Sequence, residues 1–167
     1  MIIGLTNKYV HNLCKQLTGS YFIGTYPCDV LLKKRKTILA RMKKEAPFSI
    51  DVNLSPSHQD GSHFIAMSYR KNKLELFDSL TLPYKDPNIV KFIYSLKKDK
   101  NFSFTKTKVS IQSPKSLACG FFCIAYVLSK SRNHDTQEFL DLFYKEKKML
   151  SYNDKLVIRQ IKKFILL

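Results

Sequence analysis

No stretch of this 167-residue sequence is apolar for long enough to cross a bilayer, and no signal-peptide pattern stands at its N-terminus. A soluble, intracellular protein is therefore expected. The four cysteines, Cys14, Cys28, Cys119 and Cys123, form neither a C-x-x-C pair nor a zinc-type Cys/His spacing, so neither a disulfide framework nor a metal cluster is indicated and the thiols should be reduced. His58 and His63 lie five apart beside Asp60 without a third ligand at helical spacing, so no metal site is expected and His58 reads as a solvated loop residue. No internal repeat and no Gly/Ser-rich linker interrupts the chain. One domain spanning residues 1–167 is expected, long enough to bury roughly two-thirds of its unfolded surface. Acidic residues are also few: 13 Asp and Glu stand against 29 Lys and Arg, a net charge of +16. That excess favours acidic partners. The basic residues cluster at 33–36, 41–44, 97–100, 145–148 and 159–163, which fits either a lysine-rich solvated surface or a nucleic-acid-binding face.

The apolar residues that remain are patterned. Residues 5–18 repeat Leu5, Tyr9, Leu13 and Leu17 at i+4 with Val10 and Cys14 beside them and Gly19 as the stop, an amphipathic helix. An extended piece at 21–26 follows, then a basic stretch without clear periodicity. Residues 48–54 alternate as a strand, and 63–69 and 73–77 flank a polar turn as a hairpin. Asp86 and Pro87 open a helix whose apolar face is Ile89, Phe92, Ile93 and Leu96. Residues 105–112 read as a strand. From Cys119 to about Ser131 comes a helix apolar nearly all round, hence central and buried. Two further helices are expected at 135–149, capped by Asp135 or Thr136, and at 151–165, with Ser151 and Asp154 as a capping-box pair. This order predicts an α+β fold with a central mixed β-sheet packed by helices.

Cys119 heads that apolar helix. It is either a small core hydrophobe or a thiol set against the positive end of a helix, where a cationic partner lowers its pKa. The hairpin places His63 roughly opposite residue 78 or 80, so an imidazole and the Asp78 carboxylate can meet at one end of the sheet; by itself such a pair can also be a surface ion pair. Gln112 precedes Cys119 by seven residues across a "SPKS" turn and can aim its amide at the space before the thiol, or bond to its own backbone as a turn residue. Cys123, one turn beyond Cys119, belongs to the core. Together these residues supply a nucleophile, a base, an orienter and an oxyanion donor, the parts of a cysteine hydrolase.

The chain order His63, Asp78, Gln112, Cys119, the block "QSPKSLACGFFC", the strand "GSHFIAMSY" and the early "YFIGTY" resemble the adenovirus-type cysteine endopeptidases, or adenains, within the clan that includes the SUMO-cleaving Ulp proteases. The likeness runs from about residue 9 to residue 130. It implies the adenain/Ulp-like fold, Cys119 as nucleophile, His63 as base, Asp78 as its orienter where adenain has glutamate, and Gln112 as the oxyanion-hole side chain, with Phe64 where tryptophan commonly follows the histidine. It further implies a monomeric viral endopeptidase of host nucleus and virion that cleaves precursor polypeptides after small residues such as glycine and binds DNA without sequence preference through its basic surface, its lysine clusters on one face. A Ulp-like isopeptidase acting on ubiquitin-like proteins is the alternative, and a basic nucleic-acid-binding protein with a vestigial site a third. Adenain is stimulated by a viral peptide that adds a strand and forms a disulfide with a cysteine before the oxyanion glutamine. Here segment 100–111 has no cysteine and the matching position falls near Asn101, so a peptide activator would bind non-covalently, if one is needed.

Overall fold

The computed structural model describes residues 4–59, 61–82 and 86–165. Thr6 caps helix α1 (Asn7–Thr18) by accepting from Tyr9 N at 3.2 Å, and Gly19 ends it at φ 57°, a left-handed conformation that suits glycine. Strand β1 (Phe22–Pro27) follows. The basic stretch is a 3₁₀ segment (Cys28–Lys34) running into α2 (Arg35–Lys43), neither of which the periodicity revealed. Then come β2 (Phe48–Asn53), β3 (Phe64–Arg70), β4 (Lys73–Phe77), α3 (Pro87–Lys97), β5 (Ser103–Lys106), α4 (Cys119–Ser131), α5 (Thr136–Asp141) and α6 (Leu150–Lys163).

The five strands lie in the order β1-β2-β3-β4-β5, with β1 parallel to β2, β4 parallel to β5 and the central pairs antiparallel, so the sheet is mixed. The β3–β4 hairpin turns on Lys71 and Asn72, both at positive φ (49° and 56°), the two-residue geometry that matches strand twist. Its register pairs Ala66 with Phe77. Helices cover both faces. Phe22, Phe64, Ala66 and Phe77 pack with α1, α4, α5 and α6, while Ile50, Val52, Ile65, Met67 and Tyr69 pack with the 3₁₀ segment, α2 and α3.

Four sequence expectations are corrected. The strand expected at 105–112 is β5 at 103–106: Thr107 N still donates to Leu76 O, but the Thr107 hydroxyl then bonds the Asp78 backbone and the chain leaves the sheet. The helix expected to run to 149 stops at Asp141, because the Asn153 side chain takes both the N–H and the C=O of Tyr144 (3.1 and 2.8 Å) and holds that stretch out of helix. Asp135, with Glu138, does form its capping box. Helix α6 has Met149 at its N-cap with no side-chain cap, so Ser151 and Asp154 form no capping box. The basic clusters do not share one face either: 33–36, 41–44 and 97–100 lie with α2 and α3 on one side of the sheet, and 159–163 lies on α6 on the other. Among the described residues no helix is long and apolar enough to cross a membrane.

At the centre of the sheet Asp51 is fully buried; Cys14 Sγ donates to its Oδ2 at 3.4 Å and its Oδ1 has no partner among the described residues. Burial pushes this carboxyl up to about 8, although the Cys14 hydrogen bond works the other way. The native state therefore holds a proton that the unfolded chain, with an aspartate near 3.9, releases, and stability must fall as pH rises between those values. Urea unfolding at pH 4.5 and 5.5, below the range in which His63 titrates, should show Asp51→Asn gaining on wild type by about 1 kcal/mol per pH unit. Parallel pH profiles for the two proteins would contradict it.

Candidate active site

His63 immediately precedes β3 and Asp78 immediately follows β4. The observed register sets His63 across from Leu80, which leaves Asp78 as the diagonal neighbour, a spacing that long side chains span. His63 Nε2 donates to Asp78 Oδ1 at 2.7 Å, with both side chains buried. The carboxylate is itself fixed: Leu80 N donates to Oδ1 and Leu82 N to Oδ2, each at 2.9 Å, while Asp78 N donates to Thr107 Oγ1 at 2.9 Å. Both carboxylate oxygens are thereby held, Oδ1 by the ring and Leu80 N and Oδ2 by Leu82 N. Burial favours the neutral imidazole, but the Asp78 hydrogen bond, the Cys119 thiol and the Asp78 charge outweigh it and push His63 up to about 9. At neutral pH the ring is an imidazolium with Nε2 on Asp78 and Nδ1 left for the thiol.

Cys119 is the first residue of α4, whose N-cap, Ala118, offers no side-chain cap. The leading N–H groups of the helix thus face the thiol region without intrahelical partners, at the positive end of the dipole. Gly120 lets α1 approach: a Cβ there would lie 3.2 Å from the Leu5 Cβ. Burial holds Cys14, Cys28 and Cys123 as neutral thiols, in keeping with core roles.

Gln112 is wholly buried, six residues past the end of β5 rather than at a strand end. Ser79 Oγ donates to its Oε1 at 2.6 Å, and its Nε2 donates to Ser116 O at 2.8 Å. Those two bonds choose the amide orientation, with the donor end toward the Cys119 side of the loop. The backbone of Ile111 and Gln112 is tied in turn to Ser79 O (2.9 and 3.1 Å).

A cleft of about 510 Å³ opens beside Cys119, lined among others by Leu5, Asn53, Gly61, Phe64 and Leu117. Its rim is built closely. Asn53 Nδ2 donates to Asn7 Oδ1 at 2.7 Å, and a Cβ on Gly61 would fall 2.5 Å from Asn53 Nδ2 and push that side chain off its bond. His58 is exposed, Asp60 lies outside the described residues, and the described residues hold no group of three His, Cys, Asp or Glu that could bind a metal.

Of the four residues singled out in the sequence, the structure joins His63 to Asp78, sets the Cys119 thiol against the His63 ring, and holds the Gln112 amide on the turn that leads into the Cys119 helix. Sequence reasoning missed Ser79, Thr107, Ser116, Asn53 and Gly61. Of these only Ser79, adjacent to Asp78, stood next to a residue already singled out.

The family model of the adenovirus endoprotease matches residues 35–147. The chain belongs to the adenovirus endoprotease family. This is a family of cysteine proteases, and solved structures similar to the chain include proteases of that kind. The pS273R protease of ASFV superposes with a TM-score of 0.59 at 14% identity over 90% of this chain and 66% of its own. AvrA, solved as a delL154 form with IP6 and CoA, gives 0.52 at 19% identity over 85% of this chain and 53% of its own. The SUMO protease Ulp1 gives 0.49 at 14% identity, over 94% and 78%. The chain thus spans just under two-thirds of the first of these structures and about half of the second. At such identities the likeness is one of fold, the adenain/Ulp-like α+β fold. No curated protein matches the chain in sequence.

The raised His63 pKa can be read directly. An NMR titration of the imidazole should give a midpoint near 9, and Asp78→Asn should lower it, since the charge and the strongest hydrogen bond to the cationic ring go together. The pair's contribution to stability is complete below the unfolded histidine value of about 6.5 and is lost as pH rises through 9. A wild-type midpoint at or below 6.5 would overturn this account.

Proposed function

We propose that the protein is a cysteine endopeptidase whose catalytic residues are Cys119, His63, Asp78 and Gln112. The observation that carries the reading is the 2.7 Å His63–Asp78 bond beside a thiol at an uncapped helix N-terminus, in a chain of this family. In this reading the imidazolium of His63 already carries the proton given up by the thiol, and Cys119 Sγ attacks the peptide carbonyl carbon as the thiolate of that pair, forming the C–S bond as the C=O π pair moves onto oxygen. That oxyanion is met by Gln112 Nε2–H and by the Cys119 backbone N–H. As the tetrahedral adduct collapses, the C–N bond breaks and the leaving nitrogen takes the proton from the imidazolium. Water, deprotonated by His63, then attacks the acyl-enzyme and releases the acid and the thiol. Asp78 holds the ring in place and stabilises its charged form.

The substrate we propose is a virion precursor polypeptide cut after a small residue such as glycine. Phe64 and Leu117, which line the cleft with Cys119, offer apolar surface to an apolar substrate residue. Any activating peptide is non-covalent in this reading, supported by the burial of all four cysteines. Non-specific DNA binding is also proposed, on the strength of the +16 charge; with the basic clusters split between two sides of the sheet, binding should weaken when either group is neutralised. Affinity should fall steeply with salt, by about 0.9 in log K per log unit of salt for each phosphate contacted. Binding indifferent to salt would remove DNA from the reading.

The deciding experiment is cleavage of glycine-containing precursor peptides by wild type and variants. Cys119→Ala and His63→Ala should abolish turnover with the fold intact. Asp78→Asn should leave partial activity, and Gln112→Ala should cost about 10² to 10³ in kcat. Retained cleavage in Cys119→Ala would refute the proposal.

A further inference from the structure

The amide of Gln112 is held by a loop, and that loop is held from outside the catalytic half of the molecule. Residues 113–116 form a β-turn with Pro114 at its second position, closed by Ser116 N donating to Ser113 O at 3.0 Å. Ser116 then serves two ends of the site. Its carbonyl accepts from Gln112 Nε2, and its hydroxyl oxygen accepts from the N–H of Ala118, the residue that opens the catalytic helix, at 3.0 Å. A shift of this turn would move the oxyanion donor and the helix entry together.

The turn is fastened by α6. Asn153, fully buried, donates from Nδ2 to Ile111 O at 2.9 Å, just before Gln112. Asp154, also buried, accepts from Ser113 N at 3.3 Å. These contacts bracket Gln112 on both sides. They serve no helix cap, since the N-cap of α6 is Met149 and Asp154 lies beyond the first turn. Burial raises the Asp154 pKa, and among the described residues no cation pairs with it. Both residues fall outside the segment matched by the family model.

We propose that Asn153 and Asp154 are positioning residues that hold the Ser113–Ser116 turn, and through it the Gln112 amide, in register with Cys119. The proposal rests on the reading of Gln112 as the oxyanion donor. Asp154→Ala removes the acceptor for Ser113 N–H, and should lower kcat about tenfold with KM within twofold. Alkylation of Cys119 by iodoacetamide, which forms no oxyanion, should keep its rate. Asp154→Asn retains an oxygen acceptor and should recover most of the loss. In a cycle with Gln112→Ala the two losses should fall well short of adding, because the turn acts through the amide.

An unchanged kcat in Asp154→Ala, additive losses with Gln112→Ala, or a fall in alkylation equal to the fall in turnover would overturn the proposal. A separate readout keeps it independent of protease activity: the side-chain ¹⁵N–¹H₂ resonances of Gln112 should shift or broaden in Asp154→Ala and return in Asp154→Asn. If wild type cleaves no peptide, the endopeptidase reading fails while these resonances still decide the positioning role. Resonances that do not move would refute it. Asn153→Ala, which also frees Tyr144, serves as a second variant, scored only if its circular dichroism matches wild type.

Discussion

The hydrogen bond from His63 to Asp78 depends on a register, and much of the molecule exists to keep that register. A slip of one residue between β3 and β4 would turn every side chain of the hairpin to the opposite face. Phe64 and Ala66 would then exchange layers with Ile65 and Met67, and both cores would be broken at once. The two-residue turn at Lys71 and Asn72 sets the pairing at one end and the packing enforces it along the strands. The catalytic geometry at the other end follows. Since both faces of the sheet are covered, the site gains precision from the stiffness of a close-packed interior rather than from local contacts alone.

Polar groups inside that interior are of two kinds. Glu75 and Lys130 pair at 2.7 Å on the face that carries α4, with Thr136 donating to the same carboxylate. Such a pair contributes little net stability once desolvation is counted, but it fixes where α4 and the start of α5 meet β4. Asp51 is of the other kind, neutralised rather than paired. The site itself combines the two solutions: Asp78 is satisfied by backbone N–H groups and by the ring, which lets a carboxylate remain in a nearly dry place.

How much of this could be read from the residues varies by element. The hairpin, α1, α3 and α4 were legible because each carries a complete local signal: alternation with a polar turn, or an apolar face with a cap and a stop. His63, Asp78, Gln112 and Cys119 stood out as a set because their order and the block around Cys119 form a pattern; the structure joins the first two directly and ties Gln112 to the turn before Cys119. The stretch 27–43 was not, since a 3₁₀ segment has no 3.6-residue period and basic residues obscure the short face of α2. The region after 130 failed for a different reason. Asp154 has the spacing of a capping residue, and nothing local distinguishes a carboxylate that caps its own helix from one that reaches a loop forty residues away. Asn153 likewise stops α5 through a contact no periodicity encodes. Tertiary hydrogen bonds overrode propensity at both places.

The sheet's connectivity also orders the site in time. His63 and Asp78 are fifteen residues apart within one hairpin, whereas β1–β2 and β4–β5 pair in parallel and must wait for crossovers that enclose α2 and α3. Local hairpins close in about 1–10 μs, and distant parallel pairings are much slower because loop closure must come first. The acid–base pair is thus expected to stand assembled before the thiol and the amide reach it. Pulsed hydrogen exchange would show protection in residues 64–77 ahead of α4, and simultaneous protection would mean that the hairpin needs its neighbours to form. On the roles proposed for these residues, a chain that pairs His63 with Asp78 first and brings Cys119 to them last spends the vulnerable part of its folding as a harmless precursor, with the sulfur still unactivated.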